Sequence, residues 1–230
     1  MATVAPGQTL TVQAEIPRDW TLADLQRRLG GIPADRIRLY PPPGCATEQD
    51  VLEIQAHEDR LCELEDGILV EKAMGWYESL VAALILTQIN KFLEEADLGI
   101  AFGADATLKI LPGVVKIPDV SFVSWDRWPK VTPPRRPIPA IVPDLTVEVL
   151  SETNTPAEMD EKLAAYFRAG VCLVWYVDPS TRSARAMTSV KDVQEIGPDH
   201  DLDGGNVLPG FRLSLRHIFD EADRQGPRHS

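Results

Sequence analysis

The sequence is poor in cysteine, histidine, basic charge and long apolar runs, and each shortage excludes something. Only three cysteines, Cys45, Cys62 and Cys172, stand in 230 residues. An odd number without CxxC spacing supports neither a disulfide framework nor a thiolate zinc site, so a reduced, cytoplasmic setting is expected. The four histidines, His57, His200, His217 and His229, never stand at HxxxH spacing, and no Walker or dinucleotide-binding glycine motif occurs. No apolar run approaches the roughly 18 residues that a membrane helix needs. The opening MATVAPGQTL lacks the basic and apolar stretches of a signal peptide. Basic residues are outnumbered, 23 Lys and Arg against 35 Asp and Glu, which leaves a net charge of −12. Such a balance is unfavourable for holding a polyanion.

What remains is an ordinary globular composition, 44% hydrophobic and 25% charged, at a length that suits one domain with a small extension. The first dozen residues carry no charge and are expected to be loose. Residues 21–29 (TLADLQRRL) read as a short helix with Thr21 as N-cap and Gly30-Gly31 as its stop. Residues 40–47 (YPPPGCAT) break regular structure, and residues 62–70 (CELEDGILV) form a hairpin turning at Asp66-Gly67. The strongest helical pattern covers residues 77–96. Strands are expected at 99–102, 106–111 and 114–123, the latter two joined at Pro112-Gly113. Six prolines make residues 128–143 a semi-extended connection. Next come a strand at 145–150, a helix at 156–169 stopped by Gly170, and an almost wholly apolar strand at 171–177. A hairpin near Asp178, then a final strand and short tail, complete an α/β (α+β) pattern.

Two carboxylates stand where burial is costly. Asp119 opens the strand pattern DVSFV, and Glu148 interrupts the apolar LTVEVL, where alternation puts it on one face with Thr146 and Leu150. A buried carboxylate needs compensation, which a divalent cation or a basic side chain supplies. An isolated strand carboxylate is more often paired or capping than metal-bound, so both readings stand at this point. In residues 155–166 (TPAEMDEKLAAY), Thr155, Pro156 and Glu158 form a capping box. Glu158, Lys162 and Tyr166 then share one helical face, four residues apart. The run Asp199-His200-Asp201-Leu202-Asp203-Gly204 begins like a calcium loop, but its twelfth position is Gly210, and a polar hairpin is the better reading.

The order Glu63, Asp119, Glu148, Lys162 resembles the Uma2 (DUF820) group of the PD-(D/E)XK nuclease superfamily. The match rests on CELEDGILVEKAMG (62–75), KIPDVSFV (116–123), LTVEVLSETNTPAEMDEKLAAYFRAGV (145–171) and LVWYVDP (173–179). The resemblance implies a restriction-endonuclease-like αβββαβ core with a mixed sheet. On that basis residues 1–60 form an N-terminal extension, 61–220 the nuclease-like domain and 221–230 a tail. It also implies Asp119, Glu148 and Glu63 as ligands of Mg²⁺ or Mn²⁺, with Asp119, Glu148 and Lys162 catalytic. The superfamily's lysine usually follows the glutamate by two residues, where this chain has Leu150, and Lys162 on the next helix is the substitute. Many relatives carry histidine where this chain has Tyr77-Glu78, and Glu78 is the residue available in its place.

Activity on DNA phosphodiester bonds is therefore the expectation, with a homodimer as one assembly open to the chain. Between residues 125 and 143 the charge becomes positive, with Arg127, Lys130, Arg135 and Arg136 against Asp126. Arg135, Arg136 and Lys130 are the candidate phosphate contacts, on a segment expected to leave and re-enter the sheet beside the site. Two other classes stay open: a nuclease-like scaffold that binds without cleaving, and a hydrolase of small phosphodiesters.

Overall fold

The computed structural model describes residues 16, 17, 19–73, 75–130 and 135–226. The uncharged first dozen lies outside them. In chain order the elements are α1 (Leu22–Arg28), a 3₁₀ turn (Ala34–Arg36), α2 (Glu48–Glu58), β1 (Cys62–Glu65), β2 (Ile68–Glu71), α3 (Trp76–Ala96), β3 (Gly99–Phe102), β4 (Leu108–Leu111), β5 (Val114–Lys116) and β6 (Val120–Ser124). There follow β7 (Leu145–Val149), α4 (Pro156–Ala169), β8 (Leu173–Asp178), β9 (Ser183–Met187), β10 (Val193–Ile196), β11 (Asp201–Asp203), β12 (Arg212–Ser214) and α5 (Leu215–Ala222). Among the described residues no helix is long and apolar enough to cross a membrane.

Two sheets organise the chain. The larger runs β10-β9-β8-β7-β6-β3 and the smaller β2-β1-β5-β4, while β11 and β12 form a separate hairpin. In the larger sheet β7 and β8 are parallel, connected through α4, and the other pairings are antiparallel. The mixed α/β class expected from the sequence is therefore correct. The single strand expected over 114–123 is instead two, β5 in the small sheet and β6 in the large one. The break falls at Ile117-Pro118-Asp119, where proline offers no N–H to a ladder and the chain changes sheets. Helix α2 falls in a stretch without a sequence expectation, and α5 replaces one expected as strand and tail.

Packing places α4 between the sheets. Met159, Leu163 and Tyr166 on α4 join Leu108, Ile110 and Val114 of the small sheet and Val174, Tyr176 and Met187 of the large one. The opposite face of the large sheet, with Val147, Val149 and Trp175, packs on α3 and α5. On the small sheet, Cys62, Leu64 and Val115 pack with Val51 and Ile54 of α2 and with Ile138. The other face of its edge strand β2, through Ile68 and Val70, is covered by Leu25, Leu29, Ile32 and Ile37.

The N-terminal segment also touches α4. Thr155 Oγ1 donates to the Gly30 carbonyl, and Gly30 has φ +75° with its α-carbon so placed that a Cβ would lie 2.3 Å from the Glu158 nitrogen. Gly31 has φ +77° but open space around it. Gly31→Ala should therefore cost only the left-handed backbone strain, about 1 kcal/mol. Gly30→Ala adds a clash with backbone and should cost at least about twice that. Chemical denaturation of the two variants checks the difference.

Candidate functional site

The small sheet delivers Glu63 and Glu65 from β1, which alternate onto one face, and Lys116 from β5. Lys116 Nζ lies 2.8 Å from Glu65 Oε2 and 3.3 Å from Glu63 Oε2. The Ile117 N–H donates to Glu63 Oε1 at 3.1 Å. The large sheet delivers Glu148 from β7. One step beyond the Val120–Val147 pair, the antiparallel register sets Asp119 opposite Glu148. Asp119 Oδ2 accepts from the Val149 N–H at 2.7 Å, which ties the two strands together at this level.

Helix α4 closes the arrangement. Lys162 Nζ lies 3.0 Å from Glu63 Oε1 and 2.9 Å from Glu148 Oε1. One turn later, the Tyr166 hydroxyl donates to the same Glu148 oxygen. Lys72, just past β2, reaches Asp119 Oδ1 at 2.9 Å and the Ala104 carbonyl at 3.1 Å. Asp119, Glu148, Lys162 and Glu63 thus converge, as expected from the sequence. Lys72, Lys116, Glu65 and Tyr166 were not anticipated as members of the site. The alternation of Glu63 with Glu65 and the four-residue spacing of Lys162 and Tyr166 were local signals that could have exposed part of this network.

The cluster is buried, with Glu63 at 8% exposure, Lys116 at 7% and Glu148 at 5%. Four carboxylates face three ammonium groups, and the two glutamates that share Lys162 respond in opposite ways. Burial raises the Glu63 pKa, but Lys162, Lys116 and the Ile117 N–H outweigh it and hold the carboxyl well below its usual range. Burial also raises Glu148. Lys162 opposes that rise, but Asp119 and Glu63 add to it, and the carboxyl is pushed up to about 7. Burial disfavours the Lys162 charge, yet Glu148 and Glu63 more than compensate, so its pKa is raised.

The donors are hard oxygens, a set that suits Mg²⁺ or Mn²⁺ better than softer metals. Among the described residues no three carboxylate, histidine or cysteine groups already form a coordination shell. Glu63 has donors on both oxygens, as does Asp119, from Lys72 and the Val149 N–H. The ammonium at Glu148 is shared with Glu63, and Asp119 and Glu148 stand opposite each other. That pair fits a divalent cation, and Glu63 is better placed to hold Lys162. Two residues along the same face, Ser121 pairs with Thr146, and their buried hydroxyls have no partner among the described residues.

Residues 48–216 match the model of the Uma2 family, described as "Putative restriction endonuclease". The chain belongs to the Uma2 family. Its fold is similar to the crystal structure of a putative nuclease belonging to DUF820 from Anabaena variabilis, with a TM-score of 0.64 and 19% identity over 71% of this chain and 92% of that one. No curated protein matches. All the ionic residues of the cluster lie within the Uma2 match, and the α1 segment lies before it.

Other sequence candidates stand elsewhere. Tyr77 donates to Asp223 Oδ1 at 2.5 Å, and Glu78 folds back over Gly75 at the start of its own helix. Residues 125–143 connect the end of β6 to the start of β7, the end of those strands opposite Asp119 and Glu148. The expectation that this segment re-enters beside the site is therefore corrected. Arg127 pairs with Asp144 at 2.9 Å, and Lys130 donates to the Trp125 carbonyl at 2.9 Å. Arg135 and Arg136 are exposed. The run at 199–204 forms part of a polar hairpin, in which Asp203 pairs with Arg212 at 2.9 Å.

Glu158 closes the expected capping box with Thr155, but it also pairs with Arg36 at 2.7 Å, with both side chains about one-seventh exposed. Loss of a cap alone costs about 1 kcal/mol, whereas removing one partner of a largely buried ion pair costs roughly 3–5 kcal/mol. Glu158→Ala should fall nearer the second figure in equilibrium unfolding.

Glu148 also sets a pH dependence. Its folded pKa, about 7, lies above the unfolded value of 4.5. Its contribution to stability is therefore complete below pH 4.5 and is lost as pH rises through about 7. In chelator-treated protein, Glu148→Gln should flatten the fall in stability across that window, as read by urea denaturation at a series of pH values.

Proposed function

We propose that this Uma2 protein is a divalent-metal-dependent nuclease that hydrolyses phosphodiester bonds in DNA. The observation that carries the reading is the juxtaposition of Asp119 and Glu148 on paired strands, with the Lys162 ammonium 2.9 Å from Glu148. Family membership and the resemblance in fold to a putative nuclease support it.

Asp119 and Glu148 would hold Mg²⁺ or Mn²⁺. Such an ion, when bound, polarises a phosphoryl oxygen and lowers the pKa of water. The protein supplies the remainder. Tyr166 fixes the orientation of Glu148 by donating to Oε1. Lys72 and the Val149 N–H do the same for Asp119. Lys162, kept protonated by two glutamates, directs N–H donors at the oxygens where negative charge grows in a phosphoryl transition state. Glu63 positions that ammonium from the opposite sheet.

The test is cleavage of supercoiled plasmid, a single-stranded oligonucleotide and a chromogenic phosphodiester, each with Mg²⁺, Mn²⁺ or chelator. Wild type is expected to cleave plasmid only with metal. Asp119→Asn, Glu148→Gln and Lys162→Ala should each lose about 100-fold or more in rate, the scale of removing a transition-state donor. Metal binding without cleavage of any substrate would leave a binding scaffold, and activity on the chromogenic ester alone would make the substrate small.

The phosphate contacts proposed for Arg135, Arg136 and Lys130 are separately measurable. If they touch the DNA backbone, replacing Arg135 and Arg136 by alanine should flatten the logarithmic salt dependence of binding by about two units. An unchanged slope would remove the pair from the interface.

A further inference from the structure

Arg36 stands outside the residues that match the Uma2 model, yet it touches two of the three elements that bring lysines to the site. Its Nε donates to the Glu71 carbonyl at 2.9 Å. Its two terminal nitrogens take the two oxygens of Glu158, at 3.1 and 2.7 Å. Glu71 ends β2 and immediately precedes Lys72, the partner of Asp119. Glu158 lies one helical turn before Lys162, the partner of Glu148 and Glu63. One planar guanidinium therefore spans the gap between the end of β2 and the first turn of α4.

The arginine is itself held firmly. It closes the 3₁₀ turn, where its N–H donates to the Pro33 carbonyl at 3.1 Å. The flanking Ile32 and Ile37 are buried against Ile68 and Val70 of β2. The arginine's partner Glu158 lines a cavity of about 40 Å³ together with Leu29, Ile32, Glu63, Lys116 and Lys162 among others. Leu29 and Ile32 of the N-terminal segment thus form one wall of the space beside Lys162, and Arg36 ties that segment to Glu158.

We infer that Arg36 is a positioning residue for the proposed reaction, which fixes α4 against β2 so that Lys162 meets Glu148 and Glu63 in register. The inference rests on the nuclease reading for its purpose but not for its geometry. A fork that makes three hydrogen bonds to two elements sets distance and angle together, and a lysine carries the charge without that geometry.

The experiment uses Arg36→Lys and Glu158→Gln in the full chain. Arg36→Lys keeps the charge and Glu158→Gln the capping box, and urea denaturation first establishes that each variant is folded, because both disturb a largely buried ion pair. Folded protein is pulsed with acetic anhydride, and acetylation of each lysine is read by mass spectrometry. Lys162 should label about ten-fold faster or more in both variants, because an Arg-to-Lys change at a bidentate site is not conservative. Lys116 is the internal reference: it shares the cavity and the partner Glu63 but stands on β5. Its rate should stay within about two-fold of wild type, as expected for a site without a shared partner at Arg36. Parallel rises at Lys162 and Lys116 would make Arg36 a general stabiliser and overturn the inference, as would no rise at either.

The labelling needs neither metal nor cleavage, so it stands or falls apart from the nuclease reading, which fails on its own if wild type shows no metal-dependent hydrolysis. Where wild type cleaves, Arg36→Lys should lower kcat by about ten-fold with KM within about two-fold, the pattern of an interaction made in the transition state. A change confined to KM would count against positioning.

Discussion

The Lys162 ammonium is the point at which the two sheets meet. Glu63 belongs to the small sheet and Glu148 to the large one, and each contributes one oxygen to the same nitrogen, at 3.0 and 2.9 Å. Taking these charges out of water costs several kcal/mol per ion, which is recovered only when every remaining donor and acceptor is satisfied. The surroundings are built to that requirement. Lys116 and the Ile117 N–H complete Glu63, Tyr166 joins Glu148, and Leu163, beside Lys162 in sequence, packs into the apolar layer between the sheets. The position of α4, the change of sheet at Pro118 and the register of β6 on β7 all serve to bring those groups together.

Much of this was readable wherever the signal was local. The α4 capping box, its glycine stop and the Asp66-Gly67 turn follow from residues a few positions apart, and the structure places them as expected. The apolar run of β8 reported a strand covered on both faces. Periodicity misled where two patterns coincide. In the sequence after Gly210, Leu213 and Leu215 alternate like a strand, yet Ser214 caps a helix whose buried residues are Leu215, Ile218, Phe219 and Ala222. Helix α2 buries only Val51 and Ile54, too narrow a stripe to stand out, although Thr47 and Asp50 form its capping box.

The site was legible in its skeleton and not in its support. Asp119, Glu148, Lys162 and Glu63 follow from a family pattern in sequence order. Lys72 and Lys116 each end or follow a short strand, where lysine ordinarily marks an exposed edge, and only the folded sheets show their side chains covered. Arg36 and Glu158 stand 122 residues apart, and no local propensity encodes such a pair. Residues 125–143 failed in the opposite way. Their order between the two acidic strands suggested proximity to the site, but antiparallel pairing sends the connection to the far end of both strands.

Net charge says little about the field at the site. The chain carries −12 overall, but the potential within the cluster is set by neighbours a few ångströms away, because buried charges are screened far less than exposed ones. Glu63 and Glu148 make this concrete: one ammonium serves both, yet their carboxyl groups are pushed in opposite directions. Glu63 gains Lys116 and a backbone N–H, and its charge is secured. Glu148 gains a neutral hydroxyl from Tyr166, meets the charge of Asp119, and is left with the higher pKa. Divergence between neighbouring titratable groups is the usual physical mark of divided roles. Glu63 therefore reads as the support that keeps Lys162 charged and in place. Under the proposed reaction Glu148, which stands opposite Asp119 and shares its ammonium with Glu63, would be the group to meet a cation.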